Sequence, residues 1–115
     1  MTTIAREHGR LAQIDARIKK IKAQIAAIDQ MRPGSLSRQY RDPEQQSGAY
    51  YQLSYTLDMK SRTEYVPREH VREARVQIGQ YKRFKALSAQ WIALSIERWR
   101  LKMKLARNRS SVRHG

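Results

Sequence analysis

Residues 3–31 carry a line of apolar side chains at Ile4, Leu11, Ile14, Ile18, Ile21, Ile25 and Ile28. From Leu11 the steps alternate between three and four, the spacing of a heptad seam on a helix. Glu7 interrupts the seam between Ile4 and Leu11, and most other positions are Ala, Gln, Lys, Arg or Asp, all compatible with a solvated helix. A stripe this narrow packs along one line, so the helix needs a partner within the chain or from another chain. Isoleucine at both seam positions favours three or four strands over two in parallel assemblies. That raises the expectation of an oligomer or partner interface through Leu11, Ile14, Ile18, Ile21, Ile25 and Ile28.

Pro33 and Gly34 end this helix, because proline disfavours helical geometry at Arg32 and glycine permits the turn that follows. Residues 33–49, "PGSLSRQYRDPEQQSGA", are rich in turn formers and read as an irregular loop. The next stretch is different. Tyr51, Leu53, Tyr55 and Leu57 alternate with Gln52, Ser54, Thr56 and Asp58, the period of a half-buried strand. Arg62–Val66 reads as its partner, giving a β-hairpin over 50–66. Pairing Tyr55 with Tyr65 and Leu57 with Thr63 keeps the larger side chains on one face and leaves Met59, Lys60 and Ser61 as the loop. A lone hairpin is marginal in water and has to lean on a helix or on another chain, so Tyr51 and Tyr55 join the expected partner interface.

From Pro67 a second helix is expected to run to about Arg107, with Val71, Ala74, Ile78, Tyr81, Phe84, Leu87, Trp91, Leu94, Leu101 and Leu105 as its apolar positions. Residues 108–115 read as a basic tail. The expected fold is mainly α and a single domain: two long antiparallel helices, a helical hairpin or coiled coil, joined by a loop and a β-hairpin, in an oligomer.

Charge narrows the partner. The 115 residues hold 24 Lys plus Arg against 10 Asp plus Glu, a formal net charge of +14. The surplus rises toward the end of the chain: in "ERWRLKMKLARNRSSVRHG", Arg98, Arg100, Lys102, Lys104, Arg107, Arg109 and Arg113 face a lone Glu97. Arginine grips phosphate with a planar fork, and each neutralised phosphate releases counterions. Arg17, Lys19, Lys20 and Lys22 form a smaller cluster, in which Lys19 and Lys20 are candidate phosphate contacts. Trp91, Ile92, Trp99, Leu101, Met103 and Leu105 are interleaved with the final cations, so helices that lie on a membrane surface or in a protein groove share this pattern.

Cysteine is absent, which excludes disulfides, thiolate metal sites and thiol nucleophiles. His8, His70 and His114 are scattered without ligand spacing. Asp42, Glu44 and Asp58 do not form a catalytic pair, and no phosphate-cradling glycine loop occurs. No cofactor, metal or enzymatic activity is expected. The amino terminus lacks a secretory signal and no apolar run is long enough to span a bilayer, so the expected location is cytoplasmic.

The order "GSLSRQY" (34–40), "GAYYQLSYTLDMKSRTEYVPREHV" (48–71) and "IGQYKRFKALSAQWIALS" (78–95) resembles the DUF6788 family of small bacterial and archaeal proteins of unknown function. The resemblance covers roughly residues 31–100. It implies a helix–hairpin–helix layout, a setting in mobile elements and a leaning toward DNA as partner. The family's loop carries cysteines that suggest metal binding; here the loop is "RDPEQQS" and has none. The expected function is that of a non-enzymatic, basic nucleic-acid-binding accessory protein, with DNA favoured over RNA. The alternative is a coiled-coil adaptor subunit of a larger assembly.

Overall fold

The computed structural model describes residues 3–114, with side chains described as far as Arg109. In chain order it holds helix α1 (Thr3–Ala26), strands β1 (Ser35–Asp42), β2 (Ser47–Leu57) and β3 (Lys60–Val66), a 3-10 turn at Arg68–His70 and helix α2 (Val71–His114). These elements form two compact units. One comprises residues 28–84, which hold the sheet and the start of α2; the other comprises residues up to Ala27 together with those from Lys85 onward.

The expected plan of two helices joined by a loop and a hairpin does not hold. Between the helices in chain order stands a three-stranded antiparallel sheet of order β1-β2-β3, its strands 8, 11 and 7 residues long. The segment 33–49, read as a loop, supplies β1. It pairs Leu36 with Leu53, Arg38 with Tyr51 and Tyr40 with Ala49. Leu36 and Tyr40 share one face of β1, while Ser35, Ser37 and Gln39 point the other way, as period-two alternation requires.

The hairpin register also differs. Tyr55 lies opposite Arg62 and Leu57 opposite Lys60, so the loop is the two residues Asp58 and Met59, with φ of 52° and 65°. Two successive positive φ angles make the left-handed turn whose twist suits a tight hairpin. Turn geometry prevails here over face matching. Val66 meets Tyr51 across the ladder, so the inner face at that end stays apolar without the Tyr55–Tyr65 pair.

That inner face makes the core of this unit. Leu53, 1% exposed, packs with Val66, Val71 and Ile78, and Leu36, Tyr51, Tyr55 and Ala74 lean against them. Val71, Ala74 and Ile78 recur at helical spacing, which lays the first turns of α2 along the sheet. Burying a leucine as completely as Leu53 is worth about 1.5–3 kcal/mol. Pro67, with φ −56° and ψ 145°, holds the chain extended just before the 3-10 turn, and the His70 N–H donates to the Pro67 carbonyl at 2.9 Å.

In the other unit the seam of α1 is used inside the chain. Ile14, Ile18 and Ile21 are buried, as is Leu87 of α2. Side-chain links tie Arg10 to Glu97, Arg17 to Gln90 and Asp15 to Arg98. From Glu7, paired with Lys104, to Arg17, paired with Gln90, the partners move back along α2, so the two helices run antiparallel here. Helix α1 stops at Ala26 rather than at residue 31, which leaves Ile28 off the helix, and α2 continues helically past Arg107 to His114, where the sequence predicts a basic tail.

Candidate functional site

The unit built from α1 and the later part of α2 gathers most of the expected cations and sorts them. Arg98 Nε donates to Asp15 Oδ1 at 2.6 Å. Lys104 Nζ lies 2.8 Å from Glu7 Oε1. Arg10 meets Glu97 with two nitrogens, Nε at 2.6 Å and Nη2 at 2.8 Å, the planar fork that makes arginine pairs geometrically specific. The hydrogen bond from Arg10 holds the Glu97 carboxyl below the ordinary carboxylate range, and the same bond raises the Arg10 guanidinium. Arg17 Nη2 donates to Gln90 Oε1 at 3.1 Å, and Lys22 Nζ stands 5.2 Å from the centre of the Trp91 ring.

Glu7 has a buried side chain, 7% exposed. The Lys104 ammonium neutralises its charge, but the approach is poorly aligned for a hydrogen bond, and neither carboxylate oxygen has a well-directed donor. The interruption of the isoleucine seam is thus a carboxylate held inside the unit by a lysine from α2.

Two of the seven expected cations, Arg98 and Lys104, are therefore occupied by acidic side chains of the same chain. Arg100, Lys102, Arg107 and Arg109 are exposed and have no acidic partner among the described residues. The Arg113 side chain lies outside the described residues. Lys19 and Lys20 are exposed on α1. Of the expected partner interface, Ile14, Ile18 and Ile21 are buried in the chain itself, Leu11, Ile25 and Ile28 are half-buried, and Tyr51 and Tyr55 lean on the core under the sheet.

The sheet unit holds a polar network absent from the sequence reading. The Tyr55 hydroxyl donates to Glu64 Oε1 at 2.7 Å, and Arg32 Nη1 donates to Glu64 Oε2 at 3.2 Å. The Arg32 guanidinium stands 5.0 Å from the Tyr55 ring centre, within cation–π range. Its backbone N–H donates to the Gln77 carbonyl at 3.2 Å, and the Gln77 amide donates to Gln30 Oε1 at 2.9 Å. The tyrosine hydrogen bond is the main cause that lowers the Glu64 carboxyl, with Arg32 adding to it; the same bond raises the Tyr55 hydroxyl above its usual value. The observed register puts Tyr55 and Glu64 diagonally across one face, so choosing the two-residue turn is the step that reveals the pair.

His70 Nδ1 lies 3.3 Å from Glu73 Oε2, and His8 lines a groove of about 540 Å³ with Ile4, Leu11, Met103 and Leu105. Among the described residues no three His, Asp or Glu side chains converge to hold a metal ion, and no helix is long and apolar enough to cross a membrane.

A family model described as a domain of unknown function, DUF6788, matches residues 11–76. No curated protein and no solved structure matches the chain. The match takes in most of α1, the whole sheet and the start of α2, and ends before the cations of residues 97–113.

Proposed function

The chain belongs to the DUF6788 family, and from its own charges we propose a non-enzymatic nucleic-acid-binding accessory protein that meets phosphates through the end of α2. The observation that carries this reading is the set Arg100, Lys102, Arg107 and Arg109, exposed on consecutive turns with no acidic partner among the described residues. A run of unpaired cations in a chain of net charge +14 attracts a polyanion at long range, and arginine forks hold phosphate oxygens once contact is made. Lys19 and Lys20 add exposed charge on α1. Arg98 and Lys104 leave the proposed interface because Asp15 and Glu7 already hold them. The four cations fall on both flanks of α2, which suits contact with the backbone more than reading of base edges. A cytoplasmic setting in a mobile element or phage, with DNA as the polyanion, completes the proposal and rests on family resemblance and composition alone.

Anisotropy titration of a short labelled duplex and the matching single strand, at several salt concentrations, tests it. Binding that weakens steeply with salt is expected. Absence of binding at low salt, or affinity indifferent to salt, contradicts it.

A further inference from the structure

Helix α2 carries a second apolar line whose Ile92, Ile96 and Trp99 are left exposed among the described residues. Leu87, Leu94 and Leu101, at heptad spacing, are buried or half-buried. Roughly opposite them on the helix, Ile92 is 62% exposed, Ile96 49% and Trp99 62%. Ile92, Ile96 and Trp99 border a shallow depression of about 450 Å³ that reaches Arg100. Met103 and Ala106 follow in steps of four and three, but there α2 borders the groove it shares with Ile4, His8 and Leu11 of α1, so the uncovered part of the line is Ile92, Ile96 and Trp99. Steps of four, three, four and three are the spacing of a heptad seam.

The width and flanks of this line say what fits it. Its residues cover less than the roughly 100° of helix surface that an apolar face on a broad core or a membrane needs. A seam this narrow takes a second helix. In a paired helix the positions beside the seam govern partner choice through charge. Here they are Ala93, Ser95, Arg100, Lys102, Arg107 and Arg109, with cations at four and an acid at none. Two copies of this chain would bring cations, and no acid, to each other's flanks. A helix with Glu or Asp at the facing positions would match it.

We infer that the Ile92–Ile96–Trp99 face of α2 docks an amphipathic helix of another protein, apolar along its own seam and acidic on both flanks. This goes beyond the nucleic-acid reading, because the apolar line carries it and phosphate contact leaves that line unexplained. The two ligands share Arg100, Lys102, Arg107 and Arg109, so a docked acidic helix displaces nucleic acid from them.

The test uses the full chain and a synthetic helical peptide of about four heptads, with leucine along the seam and glutamate on both flanks. A second peptide carries lysine in place of glutamate. The variant Ile92→Ser/Ile96→Ser/Trp99→Ser changes only exposed side chains, and circular dichroism verifies its helix content. Calorimetry is expected to give one glutamate peptide per chain, about tenfold or more weaker binding to the variant, and no binding of the lysine peptide. The variant keeps all four cations, so its DNA titration reads the nucleic-acid proposal separately. Equal binding of the glutamate peptide to both proteins reduces the contact to charge and overturns the inference. So does a self-dimer of the wild type that the peptide cannot dissociate. Failure to bind the peptide while wild type, but not the variant, binds vesicles of phosphatidylglycerol and phosphatidylcholine assigns the face to a lipid surface and also overturns it.

Discussion

Gly34 and Met59 of the sheet unit hold positive φ angles, and a third residue, Glu64, ties stability to pH. Gly34 has a φ of 142°, and a Cβ there would come within 2.7 Å of Leu53 Cδ1. Leu53 is 1% exposed and central to the core, so it has no room to retreat. Gly34→Ala is expected to cost about 2 kcal/mol, from backbone strain and overpacking together, read as a lowered urea midpoint. Met59 is the opposite case. It is 97% exposed yet sits at φ 65°, where glycine is at ease and methionine is not. Met59→Gly is expected to stabilise by about 1 kcal/mol, and a lower urea midpoint would count against the two-residue turn. Glu64 sets a pH dependence. Its carboxyl is held below its ordinary value by Tyr55 and Arg32, so its contribution is complete above the unfolded-state value of about 4.3 and is lost as pH falls through the folded one. The Tyr55 hydroxyl is raised, so its share is complete below about pH 10 and lost above it. Glu64→Gln is expected to flatten both limbs of a stability-versus-pH curve; an unchanged curve would show that the network contributes nothing.

At the scale of elements, the buried carboxylate of α1 gives the sharpest contrast. Lys104→Ala leaves Glu7 without its counter-charge at 7% exposure and is expected to cost about 1–3 kcal/mol, discounted because the lysine itself is half-solvated. Glu7→Leu restores an apolar seam, and in the Lys104→Ala background it is expected to recover most of that loss. A double variant no more stable than Lys104→Ala alone would place the cost elsewhere. These elements also show what sequence reveals and what it hides. The period of α1 is legible because solvated positions separate every isoleucine, and that of early α2 because Val71, Ala74 and Ile78 meet the sheet. Strand β1 is hidden because it lies at the sheet edge. Of this strand only Leu36 packs on the core, while Tyr40 shares its face with Arg38, among serines and a glutamine that read equally well as loop. The hairpin register is hidden because Asp58–Met59 lacks the glycine that signals such a turn.

Across the whole molecule, the rise in charge toward the end of the chain is plain from composition, but the division of that charge is not. Arg98 and Lys104 look like their neighbours in sequence, yet Asp15 and Glu7, more than 80 residues away, hold them. Among the described residues, Arg100, Lys102, Arg107 and Arg109 have no acidic partner, and they lie beyond the residues matched by the family model. The proposed phosphate contact therefore belongs to a part of the chain that the family match does not describe. The slope of log K against log salt for duplex DNA, in wild type and in Arg100→Gln/Lys102→Gln/Arg107→Gln/Arg109→Gln, tests it most directly. Each lost phosphate contact makes the slope shallower by about 0.9. The expected result is a variant shallower by up to about 3.6, with helix content and urea midpoint unchanged. A variant that binds as tightly as wild type, with the same slope, would contradict the proposal that these four cations are the nucleic-acid interface.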